Sequence, residues 1–94
     1  MFIENLKFIV SPVDKIEDFL KADEEIWTTQ LRRQPGFIRK DSAYEPNGLV
    51  TLWIYWDDGA SMTKAARRLD MNSLDLQLRS KFAGSFFALN NNKL

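Results

Sequence analysis

The stretch Gly48-Leu-Val-Thr-Leu-Trp-Ile-Tyr-Trp-Asp57 is apolar on both faces of a β-strand. Because side chains alternate across a strand, its residues form two sets, Val50, Leu52, Ile54 and Trp56 on one face and Leu49, Thr51, Trp53 and Tyr55 on the other. A small antiparallel sheet normally buries one face and leaves the other in water. A chain of 94 residues has enough helix to cover one face only. We therefore predict that a second copy of the chain covers the other face, with Trp53, Tyr55 and Thr51 at the dimer interface.

The composition indicates one globular domain, residues 1–94, which we expect to be cytoplasmic. Hydrophobic residues make up 45% of the chain and the formal net charge is zero. A nucleic-acid partner would call for clustered, excess Lys and Arg, and a membrane span would need about 20 consecutive apolar residues. Neither feature is present in the sequence. We expect no nucleic-acid partner and no membrane partner.

The absence of both cysteine and histidine excludes several classes of site. Without cysteine there is no thiolate nucleophile, disulfide or thiolate-bound metal. Without histidine the chain lacks the commonest general base and the commonest ligand of zinc and haem iron. A Ser-His-Asp hydrolase and a histidine-ligated haem enzyme are therefore ruled out. We expect no metal site and no cofactor.

Hydrophobic periodicity predicts the element order β-α-β-β-α-β. The predicted elements are strands over residues 2–10, 37–44, 48–57 and 85–89, a helix over 13–33, and a second helical region in two pieces after Asp58. Residues 73–79 fit either strand alternation or a helix face, and we favour the helix. This order predicts an α+β, ferredoxin-like fold, in which a four-stranded antiparallel sheet carries its helices on one face and dimerises through the other.

Asp23 interrupts the apolar stripe of the first helix, between Leu20 and Trp27. A buried carboxylate must be paired, hydrogen-bonded or protonated. In one interpretation Asp23 accepts from an indole N–H, a lysine or a backbone amide and holds the helix on the sheet. In the other it lines a cavity and has a raised pKa that suits it to accept a proton. Glu4 faces the same space from the first strand, which makes Asp23 and Glu4 the candidate catalytic pair.

Four further residues are candidates for binding a ligand between helix and sheet. Trp27 and Trp56 are expected to meet there, either as core fillers or as surfaces on which a ligand stacks. Gln30 lies on the same helical stripe as Asp23, and Phe8 shares the Glu4 face of the first strand.

Three segments resemble a known superfamily: Lys21-Ala-Asp-Glu-Glu-Ile-Trp-Thr28, the corner Gln34-Pro-Gly-Phe37, and Trp56 at the end of the third strand. They look like the dimeric α/β-barrel superfamily, in which two ferredoxin-like protomers pack sheet to sheet. Within it the chain is most similar to a small, mostly cyanobacterial family of unknown function. Antibiotic-biosynthesis-type monooxygenases, which oxidise polycyclic phenols without metal or flavin, are more distant relatives. The resemblance implies a homodimer.

Two hypotheses follow for the function. In the first, the homodimer binds a small apolar or aromatic molecule between helices and sheet. In the alternative, the protein is a cofactor-independent, monooxygenase-like enzyme in which Asp23 acts as general base.

Overall fold

The computed structural model describes residues 1–82, 84–88 and 92–93. In chain order the elements are β1 (Phe2–Val10), α1 (Ile16–Asp23), α2 (Thr29–Leu31), β2 (Phe37–Tyr44), β3 (Leu49–Trp56), α3 (Gly59–Arg68), α4 (Met71–Lys81), β4 (Phe86–Ala88) and β5 (Asn92–Lys93). A 3₁₀ turn, Val13–Lys15, precedes α1, and a π-helical turn, Glu24–Thr28, joins α1 to α2. None of the described helices is both long and apolar enough to cross a membrane.

The strands form one antiparallel sheet in the order β2-β3-β1-β4, with β5 also paired to β1. Three long strands make the body of this sheet, whereas β4 has three residues and β5 has two. The predicted four-stranded sheet therefore needs correction: among the described residues, only these two short segments pair with the outer edge of β1. The helix α4 ends at Lys81, and Gly84 turns the chain into β4 with a φ of 74°.

The alternation predicted for β3 is present in the sheet. Val50, Leu52, Ile54 and Trp56 face the helices, and each is at most 5% exposed. On the opposite face Thr51, Trp53 and Tyr55 are half-buried in the single chain. The helices thus cover one face of the sheet.

The buried residues form two clusters under different helices. Phe19 of α1 is the centre of the first, where its ring centroid lies 5.7 Å from Phe8, 5.8 Å from Phe82 and 4.9 Å from Phe86. The second cluster lies beneath α3 and consists of Leu31, Ile54, Trp56, Met62 and Ala65. Between the two clusters the packing leaves space for a cavity.

The helical interpretation of residues 73–79 is confirmed, since α4 spans them. Its N-cap is Asp70, whose carboxylate accepts a hydrogen bond from the Ser73 amide at 3.1 Å. The helix α3 begins in the same way, with Asp58 accepting from the Ser61 amide at 2.7 Å. The single helix predicted over 13–33 is wrong in one respect, because the π-helical turn interrupts it.

Candidate functional site

A cavity of about 460 Å³ lies between the inner face of the sheet and the helices. This volume lies within the range of small-molecule binding sites. Much of its wall is apolar and includes Leu6, Leu52, Ile54, Met62, Leu69 and Leu78. Polar side chains border the cavity at Glu4, Asp23 and Lys40, and on α4 at Asn72, Asp75 and Arg79. A largely apolar pocket with a few converging polar groups is typical of a ligand site.

The Asp23 carboxylate forms a buried ion pair with Lys40 of β2. The Lys40 ammonium donates to Asp23 Oδ2 and, at 2.9 Å, to Thr28 Oγ1. The exposed fraction is 6% for the Lys40 side chain and 9% for that of Asp23, so these charges have little water to solvate them. The two residues stay paired because either charge, buried without the other, would cost a large desolvation free energy.

Lys40 is a residue that the sequence analysis missed. Strict alternation along β2 would put Phe37 and Arg39 on one face and Lys40 on the other. A β-bulge between Phe37 and Arg39 shifts this register, so that Phe37 pairs with Trp56 while Lys40 pairs with Ile54, both on the inner face. The Pro35-Gly36 corner before the strand was the nearest available signal of an irregularity.

Burial is the main influence on the pKa of the Asp23 carboxyl. It raises the pKa of this carboxyl above its ordinary value of 3.8, because the charged form loses hydration. The nearby Lys40 ammonium offsets part of that rise by attraction and by its hydrogen bond, and the negative charge of Glu24 adds a little to it. The site therefore contains a carboxylate that binds a proton more readily than one in water.

The π-helical turn explains why Asp23 and Thr28 meet the same lysine. Residues five apart point in different directions in an α-helix, but a turn with i→i+5 hydrogen bonds stacks them. The extra residue also rotates everything that follows it. Gln30, which a continuous helix would put on the Asp23 face, lies outside the cavity and lines a separate depression with Arg68 and Leu74. The prediction that Gln30 belongs to the site is therefore corrected.

Glu4 enters the cavity from β1 and accepts a hydrogen bond from Trp56 Nε1 at 2.8 Å. The Trp56 side chain is almost fully buried, and its ring packs edge-on against Phe37 with centroids 5.8 Å apart. A buried indole N–H needs an acceptor, which Glu4 provides. The carboxylate of Glu4 thus has a structural partner and also borders the cavity.

The structure brings five of the predicted site residues to one cavity: Asp23, Glu4, Trp27, Trp56 and Phe8. Trp27 and Trp56 do not meet as expected, because Trp27 packs against the cluster around Phe19 and Trp56 belongs to the cluster beneath α3. Both indoles line the cavity. The residues predicted for the dimer interface lie on the opposite face of the sheet.

Solved structures share this fold at low sequence identity. SnoaB from Streptomyces nogalater, a cofactor-independent oxygenase, superposes with a TM-score of 0.76 at 16% identity, over 99% of this chain and 89% of its own. A dimeric ferredoxin-like protein from an uncultured marine organism gives 0.69 at 20% identity, over 99% and 92%. An antibiotic biosynthesis monooxygenase gives 0.64 at 14%, over 100% and 94%. The fold is ferredoxin-like.

No protein-family model matches the chain, and no curated protein matches it in sequence. The three structures named above are below 25% identity and therefore establish the fold, not the activity. Within the described part of the chain, no three Asp or Glu side chains are grouped as metal ligands would be. Any assignment of function must come from the cavity itself.

Proposed function

We propose that this protein is a homodimer that binds a small aromatic molecule in the cavity between helices and sheet. The observation that carries this proposal is the cavity of about 460 Å³ with an apolar wall and a buried ion pair at one side. Aromatic rings of Trp27 and Phe8 offer surfaces for stacking. An apolar site with few, fixed polar groups favours a flat molecule with one or two polar substituents.

The homodimer is supported by the outer face of the sheet. Trp53 and Tyr55 leave an aromatic surface there, and the Arg39 guanidinium lies 4.4 Å from the centre of the Tyr55 ring. Exposed patches of this kind commonly mark protein interfaces, where aromatic residues and arginine are enriched. A dimeric ferredoxin-like protein among the structural neighbours supports the same assembly.

The ligand proposal is tested by filling the cavity. Ala65 of α3 is 2% exposed and lines the cavity, whereas Ala60 is exposed on the same helix. Titration calorimetry with 2-naphthol should show binding to the wild type and to Ala60→Leu, and at least tenfold weaker binding to Ala65→Leu. Thermal denaturation verifies that both variants are folded. Equal binding by all three proteins would place the ligand outside this cavity.

A second candidate function is oxygenation without a cofactor. Asp23 borders the cavity with a raised pKa, and the structural neighbour SnoaB is a cofactor-independent oxygenase. In this reaction Asp23 accepts a proton from an activated CH₂ group of a ring ketone. Dioxygen then takes up the carbanion's electrons, so that R₂CH₂ and O₂ give R₂C=O and H₂O.

Anthrone, a three-ring ketone with such a CH₂ group, is a suitable probe. Oxygen consumption and anthraquinone formation should exceed the uncatalysed rate in the wild type and fall at least 100-fold in Asp23→Asn. The variant should still bind 2-naphthol, because the Asn oxygen can accept from Lys40. No oxygen uptake by the wild type above background would leave ligand binding as the function.

A further inference from the structure

One row of residues across the inner face of the sheet places two polar side chains at the cavity. Ile54 of β3 pairs with Glu4 of β1 on one side and with Lys40 of β2 on the other. Neighbouring strands lie about 4.8 Å apart, so the backbones of Glu4 and Lys40 are about 10 Å apart across this row. The apolar side chain of Ile54 lies between them. Along this row the cavity therefore has a polar group on each side of an apolar centre, and Asn72, Asp75 and Arg79 of α4 are the other polar residues of its wall.

At the Lys40 end the site offers a hydrogen-bond donor. The ammonium has three N–H groups, of which Asp23 and Thr28 accept two. The third has no acceptor among the described residues, and Lys40 lines the cavity. Because the Asp23 carboxylate is adjacent and repels another anion, this N–H suits a neutral acceptor such as a carbonyl oxygen.

At the Glu4 end the site offers an acceptor. Trp56 donates to Oε1 of Glu4. The other carboxylate oxygen, Oε2, has no donor among the described side chains, and Glu4 also lines the cavity. A carboxylate oxygen of this kind suits a hydroxyl group.

We propose that the site selects a flat ring system with a carbonyl oxygen at one end and a hydroxyl group at the other. Lys40 binds the carbonyl oxygen and Glu4 accepts from the hydroxyl group. This inference rests on the proposed function, because it names the ligand class of the same cavity. Glu4 and Lys40 are then its specificity-determining residues.

Three related naphthalenes test this recognition by calorimetry. The first, 6-acetyl-2-naphthol, carries both groups, 6-acetyl-2-methoxynaphthalene lacks the donor, and 2-naphthol lacks the carbonyl. A hydrogen bond to a charged group changes affinity by roughly tenfold or more, so the first compound should bind about tenfold tighter than either of the others. Equal affinities would overturn the two-ended recognition and leave the proposed function intact. No binding by any of the three would overturn the proposed function as well.

The role of Glu4 is tested by Glu4→Gln, with Glu25→Gln as a matched control on an exposed residue. In Glu4→Gln we expect the Trp56 N–H to donate to the amide oxygen. The amide NH₂, a donor, then takes the place of Oε2, the free acceptor of Glu4. The preference for 6-acetyl-2-naphthol over 6-acetyl-2-methoxynaphthalene should disappear or reverse. The preference for 6-acetyl-2-naphthol over 2-naphthol should remain. The control should keep both preferences. A Glu4→Gln protein that still binds 6-acetyl-2-naphthol tenfold more tightly than 6-acetyl-2-methoxynaphthalene would overturn the assignment of Glu4 as the acceptor.

Discussion

At the scale of single residues, the Asp23–Lys40 pair dominates the energetics of the site. Removing one partner from a buried pair leaves an uncompensated charge, which costs about 3–5 kcal/mol. Lys40→Met should therefore lower the free energy of unfolding by that amount. The double variant Asp23→Leu/Lys40→Met should recover most of the loss, because it buries no charge. Urea denaturation of the wild type, Asp23→Leu, Lys40→Met and the double variant measures the coupling energy between the two residues. If the losses of the two single variants simply add in the double variant, a tight pair is contradicted.

The raised pKa of Asp23 gives this residue an unusual effect on the pH dependence of stability. In the unfolded chain the carboxyl titrates near 3.8, and in the folded protein it titrates above that value. Between the two values the folded state binds more protons, so its stability decreases as pH rises. The wild type should thus lose stability relative to Asp23→Asn as the pH rises from 3.8 through the folded pKa. Urea denaturation over this range measures the difference; a relative gain would mean that attraction to Lys40 outweighs burial.

Residues differ in how well their role can be predicted from sequence. Asp23 is detectable because a charged residue breaks an apolar stripe, and this anomaly is local. Lys40 is not detectable, since a bulge between Phe37 and Arg39, just before it in β2, decides which face it occupies. Its neighbours in β2 are polar and exposed, so no pattern separates it from Arg39.

At the scale of elements, the π-helical turn behaves as one extra residue in an α-helix. Deleting the exposed Glu25 should restore α-helical hydrogen bonding while Asp23 and Thr28 keep their places above Lys40. We expect this deletion to leave the free energy of unfolding unchanged or higher. Deleting the exposed Lys21 from α1 should instead rotate the buried face of the helix and destabilise the protein by several kcal/mol. Urea denaturation and circular dichroism compare the two, and an equal loss in both would contradict the inserted-residue interpretation.

Elements with a strong, regular period were predictable and irregular ones were not. The alternation of β3 follows from a side-chain pattern that tertiary contacts do not override, whereas residues 73–79 fit two patterns and form part of α4. The π-helical turn is not visible in the hydrophobic periodicity of the sequence. Only the structure shows its effect, because Gln30 lies outside the cavity. The final strand predicted over residues 85–89 corresponds to β4, Phe86–Ala88, and residue 89 lies outside the described part of the chain.

At the scale of the whole molecule, the proposed homodimer depends on the outer face of the sheet. We expect the wild type to sediment as a dimer and Trp53→Asp to sediment as a monomer or to unfold, because a buried carboxylate at the interface would have no partner. Trp53→Phe, which keeps an aromatic ring, is the matched control and should remain dimeric. Analytical ultracentrifugation measures both. A folded, fully dimeric Trp53→Asp protein would require a different interface.

The two local irregularities, the β-bulge after Phe37 and the π-helical turn at Glu24–Thr28, each add a single residue and face each other across one space. The first turns Lys40 inward and the second turns Thr28 inward, where they hydrogen-bond. Each insertion also changes the face on which later residues lie, as Lys40 and Gln30 show. A protein engineer could therefore install a polar centre in another sheet-and-helix layer by the same paired insertion, if the hydrophobic pattern after each insertion is shifted by one residue.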